Sequence, residues 1–356
     1  MSILEHHIDP DADAVIVLRN PCLEFAPWQD GTSEATTSDA AGAPADSVPD
    51  SIIEAGPKET EISVLYYVSS RHLTTASPWF RRALTKEKWT ESGKDEKDGL
   101  VHIHADDWDS EAFLILMNII HLKNRKVPRE VSLEDLAKFA VIVDYYECAE
   151  AVEHFTDKWK ESLRTATPIP STHCRALILW ICIAWVFEWE EQFSDSTLVA
   201  VKQCSEPLRT LGLPIPERVT EQIDLKRYEA MEHVIESLHG LREKYLDLDY
   251  ACTQDPDYSF NCGSTLYGAI SKEMLAIQIL SPRPQIPFTG MSFEGVCAGV
   301  RNFRSSSNNN GYRLGYYNDY RHTQAHSCSL TTAVTEVIDN VVSTVGGFQL
   351  QPLKER

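Results

Sequence analysis

Soft metal ligands gather towards the C-terminal end of the sequence. Cys252 and Cys262 bracket a Pro/Asp-rich turn, CTQDPDYSFNC; Cys297 follows in a helical pattern; His322, His326 and Cys328 cluster after the polar run SSSNNNGYR. Zinc takes four thiolate or imidazole ligands at the corners of a tetrahedron, and Cys252, Cys262, His326 and Cys328 offer such a structural set if two loops meet. The spacings are not of the C-x-x-C kind, and a free cysteine is also a small buried hydrophobe. His102 and His104 fall on one face of an alternating strand, with Asp106 and Asp107 beyond. An edge strand with one solvated face accounts for them equally well, and the aspartates then lead into the cap of the next helix. No G-x-S-x-G, no GxxxxGK[ST] and no dinucleotide fingerprint after a strand occurs. Enzyme chemistry is therefore not expected, and a structural zinc is the one cofactor in prospect.

What must position these residues is a chain of 356 residues, 43% hydrophobic, enough for two or three domains with cores of their own. The net charge is −20, which argues against a sequence-independent grip on nucleic acid or an anionic membrane, since both need basic surface. Half of that charge lies early. Residues 1–60 carry twelve acids against Arg19 and Lys58, whereas residues 251–356 balance at eight and eight. The start, MSILEHHIDPDAD, lacks the basic and apolar regions of a signal peptide. The longest apolar run, ALILWICIAWVF at 176–187, has twelve residues where a membrane span needs about 20. No membrane association is expected, and a cytoplasmic or nuclear location follows, with the nine cysteines reduced.

Strands are expected at 14–18 (AVIVL), 62–68 (ISVLYYV) and 100–104 (LVHIH). Between the first two, residues 29–60 are too poor in large apolar side chains to offset the entropy of ordering and are read as a disordered insertion. Ser77-Pro78 supplies a capping hydroxyl and a first-turn proline for a helix at 78–85. Asp109 opens another helix, with Phe113, Leu116, Met117 and Ile120 on one face. Ser132 and Asp135 form a capping-box pattern for the next. After Thr167-Pro168-Ile169-Pro170 the pattern is helical throughout: an apolar helix near 176–187, then a long one at 217–248. In the latter, Tyr228, Met231, Ile235, Leu238 and Tyr245 form one stripe and Val234, Leu241 and Leu248 a second beside it, so that one packs inward and the other is open to a partner. Shorter helices are expected at 266–280, 292–303 and 330–345.

Residues 62–84, ISVLYYVSSRHLTTASPWFRRAL, closely resemble the signature segment of the BTB/POZ domain. Asp13 with the Val15–Leu18 strand resembles the family's first strand, Leu100–His104 its third, and AKFAVIVDYYECAEAVEHF its paired later helices. The likeness spans residues 11–165, and with its long helical extension the chain resembles fungal BTB proteins. It implies an α+β fold, a small sheet flanked by helices, followed by a helical extension at 171–250 and a mainly helical, Cys-containing subdomain at 251–356. His72, Ser77 and Phe80 are then fold determinants. Two departures stand out: some thirty residues separate strands that the family joins by a hairpin, and the first ten residues leave no room for the N-terminal helix that many BTB homodimers exchange.

The resemblance implies a protein–protein interaction adaptor or scaffold without catalysis, acting with protein partners and as a homodimer through the BTB domain. Some relatives bind the cullin scaffold of a ubiquitin ligase through an apolar-x-Glu motif. Trp89-Thr90-Glu91 lies at the matching place, with Asp98 at the spacing of the motif's longer form, so an adaptor of a cullin-type ligase is one alternative. The opposing reading packs Trp89 on its own domain and leaves Glu91 solvated. A transcriptional co-regulator lacking its own DNA-binding module is the other alternative, since the arginines Arg301, Arg304, Arg313 and Arg321 show no zinc-finger spacing.

Overall fold

The apolar run AVIVLR becomes an inner strand of the only sheet among the described residues. In this computed structural model those are residues 3–22, 24–28, 63–85, 98–305 and 328–354. The expected insertion at 29–60 falls outside them. The strands are β1 (Ile3–His7), β2 (Ala14–Arg19), β3 (Ser63–Val68) and β4 (Val101–Asp106), in the order β1-β3-β2-β4. β2 runs antiparallel to β3, with Ile16 opposite Tyr66, and parallel to β4, with Ile16 opposite Ile103. β1 lies parallel to β3 at one edge. β2 buries Ala14, Val15, Ile16 and Leu18, as expected of a strand covered on both faces. β4 alternates: Ile103 and Ala105 are buried, His104 and Asp106 exposed, which places His102 and His104 on the open face as the sequence implied.

Among the described residues five α-helices accompany the sheet: α1 (Ser70–Ala76), α2 (Pro78–Thr85), α3 (Ser110–Ile120), α4 (Leu133–Tyr145) and α5 (Ala149–Ala166). The starts of α3 and α4 have a local cause. The Asp109 carboxylate accepts from the backbone N–H groups of Glu111 and Ala112, at 3.1 and 3.0 Å, satisfying two of the donors that a helix start leaves open. Ser132 Oγ accepts from the Asp135 N–H at 3.1 Å, but the Asp135 carboxylate takes the Ser132 hydroxyl proton at 2.6 Å. A reciprocal box would instead engage the Ser132 backbone N–H; the shorter aspartate stops at the side chain. Phe113, Leu116, Met117 and Ile120 are all buried, and the Tyr66 hydroxyl spans from sheet to helix by donating to the Ser110 carbonyl at 2.9 Å.

Two compact units divide the chain: Met1–Pro168 with Leu211–Pro214, and Ile169–Thr210 with Ile215–Arg356. The described part of the second unit is helical: α6 (Arg175–Val186), α7 (Glu190–Gln203), α8 (Glu217–Leu246), α9 (Ser259–Ala276), α10 (Phe293–Arg301), α11 (Leu330–Thr344) and the short α12 (Gln351–Lys354). The described residues thus combine helices with one small sheet, consistent with an α+β class, and that sheet lies in the first unit. α6 buries every residue from Leu177 to Val186, as its all-round apolar pattern demanded. Met231, Ile235 and Leu238 of α8 share a core with Ile270 and Met274 of α9, Val300 of α10 and Val334, Ile338 and Val341 of α11. At roughly 1.5–3 kcal/mol for each large apolar side chain buried, that shared core outweighs local helix propensity. Neither α8 stripe is left as a separate partner face: Met231, Ile235, Leu238 and Tyr245 of the first lie in this core. Val234 is fully buried in the same core and Leu241 packs against it, while Leu248 lies beyond the helix end, 96% exposed.

The tail after α11 returns across α7. The Phe348 N–H donates to Thr197 Oγ1 at 3.0 Å, and the Leu350 N–H donates to the Glu190 carboxylate at 3.0 Å. The crossing point is Gly347, where a Cβ would overlap the backbone carbonyl of Ser194.

Candidate functional site

Ser77 separates α1 from α2 with its side chain buried. Its Oγ accepts from the Phe80 N–H at 3.0 Å, capping α2 as the Ser-Pro pair implied, and donates to the Tyr146 carbonyl at 2.5 Å. Phe80 stacks parallel to Tyr146 at 4.6 Å between centroids. Arg82 pairs with Glu147 through both terminal guanidinium nitrogens, and that hydrogen bonding holds the Glu147 carboxyl below the usual carboxylate range. Segments 63–84 and 137–155 therefore meet at one buried joint.

A second tie joins the start of β2 to α1. The Asp13 carboxylate accepts from the Ser70 N–H and hydroxyl, both at 2.6 Å. Nearby, one atom each of Asp9, His72 and His121 come within 4.8 Å of one another. Metal ligation there is opposed by the hydrogen bonds of His121: Nδ1 donates to the Met117 carbonyl at 2.8 Å and Nε2 accepts from the Ser69 N–H at 2.9 Å. Both ring nitrogens are in use, and burial pushes the imidazole below its ordinary value, favouring the neutral form.

Of the residues expected to bind a partner, Trp89 and Glu91 lie outside the described residues. Asp98 sits in the turn before β4. Its carboxylate accepts from the Leu100 N–H at 2.9 Å and pairs with His102 Nε2 at 2.8 Å; these contacts, the backbone one foremost, lower its pKa. His104 instead faces Arg19 at 3.3 Å. The two histidines of β4 thus have separate neighbours and do not converge on a metal.

The thiols of Cys252, Cys262 and Cys328 do converge, their sulfurs all within 4.8 Å of one another. Cys252 and Cys328 are 3.6 Å apart. His326, the fourth member of the expected zinc set, lies outside the described residues, and Cys297 is buried singly on α10. Three separate stretches deliver the cluster: the turn after α8, the first turn of α9, and the residue before the Ser329 N-cap of α11. The turn is held by the Cys252 N–H donating to Ser259 Oγ at 2.9 Å and by Ser259 Oγ donating to the Pro256 carbonyl at 2.6 Å. Burial raises the Cys252 thiol pKa, but the N–H groups of Asp255 and Gln254, aimed at its sulfur, outweigh this and hold it below the ordinary thiol value. Burial pushes Cys262 up to about 12, with the Tyr250 hydroxyl 3.5 Å from its sulfur. Gly263 is required beside it, since a Cβ there would stand 2.9 Å from the Tyr250 ring and 3.1 Å from the Tyr245 carbonyl.

No family model, curated protein or solved structure matches the chain.

One charged residue escaped the sequence reading. Arg227, fully buried on α8, donates to the carbonyls of Pro287, Met291 and Cys204 at 3.0, 3.3 and 3.5 Å, its guanidinium lying over the Tyr228 ring. An arginine beside a tyrosine stripe reads as solvated until the 285–291 loop supplies its acceptors.

No helix among the described residues is long and apolar enough to cross a membrane.

Proposed function

We propose that residues 11–165 form a BTB/POZ domain and that the chain is a protein–protein interaction adaptor or scaffold. The observation that carries this reading is the buried joint at Ser77. It packs together the two segments, 63–84 and the Asp-Tyr-Tyr-x-Cys helix pair, whose residues resemble the family. The strand arrangement agrees with it: β2 and β3 are antiparallel despite the long connection between them, and β4 returns parallel to β2.

A partner surface is offered by the groove between Ala76, Ile119, Ile120, Leu122 and Ala151, edged by Arg71 and Glu150. Leu122 at its rim is 73% exposed, and a large apolar side chain beside charged ones suits a transient protein contact. Crosslinked affinity purification of the full chain tests the reading, with Leu122→Glu and the Trp89→Ala, Glu91→Ala pair as comparisons. A stoichiometric protein partner, or a second copy of the chain, lost in one of these variants supports the adaptor role. If that partner is a cullin and the Trp89/Glu91 pair releases it, the ligase assignment follows. A chain recovered without stoichiometric partners, with the light-scattering mass of a monomer at all concentrations, overturns the proposal.

A further inference from the structure

The other buried cysteines of the second unit, Cys182, Cys204 and Cys297, belong to no cluster of metal-ligating side chains among the described residues. Cys252, Cys262 and Cys328 instead face one another, although thiols gain little from mutual contact. A tetrahedral centre with zinc–sulfur bonds of about 2.3 Å sets neighbouring sulfurs about 3.8 Å apart. The observed 3.6 Å between Cys252 and Cys328, and the 4.8 Å limit on the whole group, lie close to that triangle. A disulfide would engage two of the sulfurs and leave the position of the third unexplained.

Hydrogen-bond donors surround the sulfurs, while burial raises the Cys262 and Cys328 thiols, so a bound cation would have to displace their protons. The Gln254 and Asp255 N–H groups address Cys252, the Thr253 hydroxyl addresses Cys328, and the Tyr250 hydroxyl lies by Cys262. Such outer donors orient metal-bound thiolates and relieve their charge. Cys262 lies in the first turn of α9 and Cys328 just before the N-cap of α11, where the helix dipole opposes part of the cost of a buried thiolate.

We propose that Cys252, Cys262 and Cys328 bind one zinc ion as thiolates, forming a structural centre that fastens the turn between α8 and α9 to the start of α11. On binding, each thiol gives its proton to solvent, and three soft ligands select zinc over magnesium or calcium. The inference is independent of the adaptor reading.

The full chain, purified under reducing conditions without chelator from zinc-supplemented cells, is expected to carry about one zinc per molecule by elemental analysis. X-ray absorption should show three sulfurs at about 2.3 Å from the metal, and should identify the fourth donor. Cys262→Ser and Cys328→Ser should each lose most of the metal, while Cys297→Ser retains it. If either cluster variant fails to fold, chelator titration of the wild-type chain replaces it: removing the zinc should lower the thermal unfolding midpoint, and zinc but not magnesium should restore it. A metal-free chain after zinc reconstitution, unchanged zinc in both cluster variants, or a non-reducing peptide map joining Cys252 to Cys328 would overturn the proposal.

Discussion

Replacing Ser77 by alanine removes two hydrogen bonds at one buried point. Losing the cap at the Phe80 N–H costs about 1 kcal/mol. The Tyr146 carbonyl, reached by the Ser77 hydroxyl at 2.5 Å, loses its donor inside the core, which costs about 1–3 kcal/mol. Together these predict a loss of about 2–4 kcal/mol. Ser77→Gly separates the contributions, because glycine at a cap position costs only a few tenths of a kcal/mol but leaves the carbonyl equally bereft. Trp79 stands edge-on to Tyr146 at 5.0 Å, so tryptophan fluorescence reports on this joint during urea unfolding. With a slope of about 2 kcal/mol per molar urea, the midpoint should fall by about 1–2 M in the alanine variant and by less in the glycine variant. A fall in stability below about 0.5 kcal/mol for alanine would mean that water reaches the carbonyl, and would refute the claim that this hydroxyl joins the two segments.

Three further outcomes follow from the same structure. Gly347→Ala should destabilise the second unit by well over about 2 kcal/mol, since the obstruction is the Ser194 backbone and not a movable side chain; differential scanning calorimetry of the full chain would show it. Arg227→Ala, which leaves three carbonyls without their donor, should cost about 3 kcal/mol or more, and chemical denaturation that left the second unit unchanged would contradict the buried role. His121 has a folded pKa below its unfolded value, so its contribution is fully present above about pH 6.5 and is lost as pH falls towards the folded pKa. His121→Gln, whose amide can still donate to Met117 and accept from Ser69, should therefore flatten the fall in unfolding free energy measured between about pH 6.5 and pH 5.

Elements specified by neighbouring residues were legible in advance. The Ser77-Pro78 pair marked α2 to its first and last residue, and Asp109 and Ser132 marked α3 and α4 because caps act within one turn. β1 was not legible. Ile-Leu-Glu-His-His has no clear alternation, and what orders it lies sixty residues away in β3, where His6 and His7 stack on Tyr66 and Tyr67 at 5.2 and 4.5 Å. The same distinction divides the candidate sites. Cys252, Cys262 and Cys328 could be singled out as soft ligands, but that their sulfurs meet depends on how α9 and α11 pack on α8. The two stripes of α8 could not be ranked from spacing alone, because α9, α10 and α11 together cover a wider arc than one stripe.

The return of the tail across α7 also bears on how the chain is made. Thr197 and the Phe348 N–H that it receives are 151 residues apart in sequence. A ribosome adding about 5–20 residues per second needs roughly 8–30 s to cover that separation. Throughout that interval α7 lacks the segment that laces over it through Thr197 and Glu190. The second unit therefore cannot complete its packing until Gly347 has been made and has crossed Ser194, so its helices must form before the strap that closes over them.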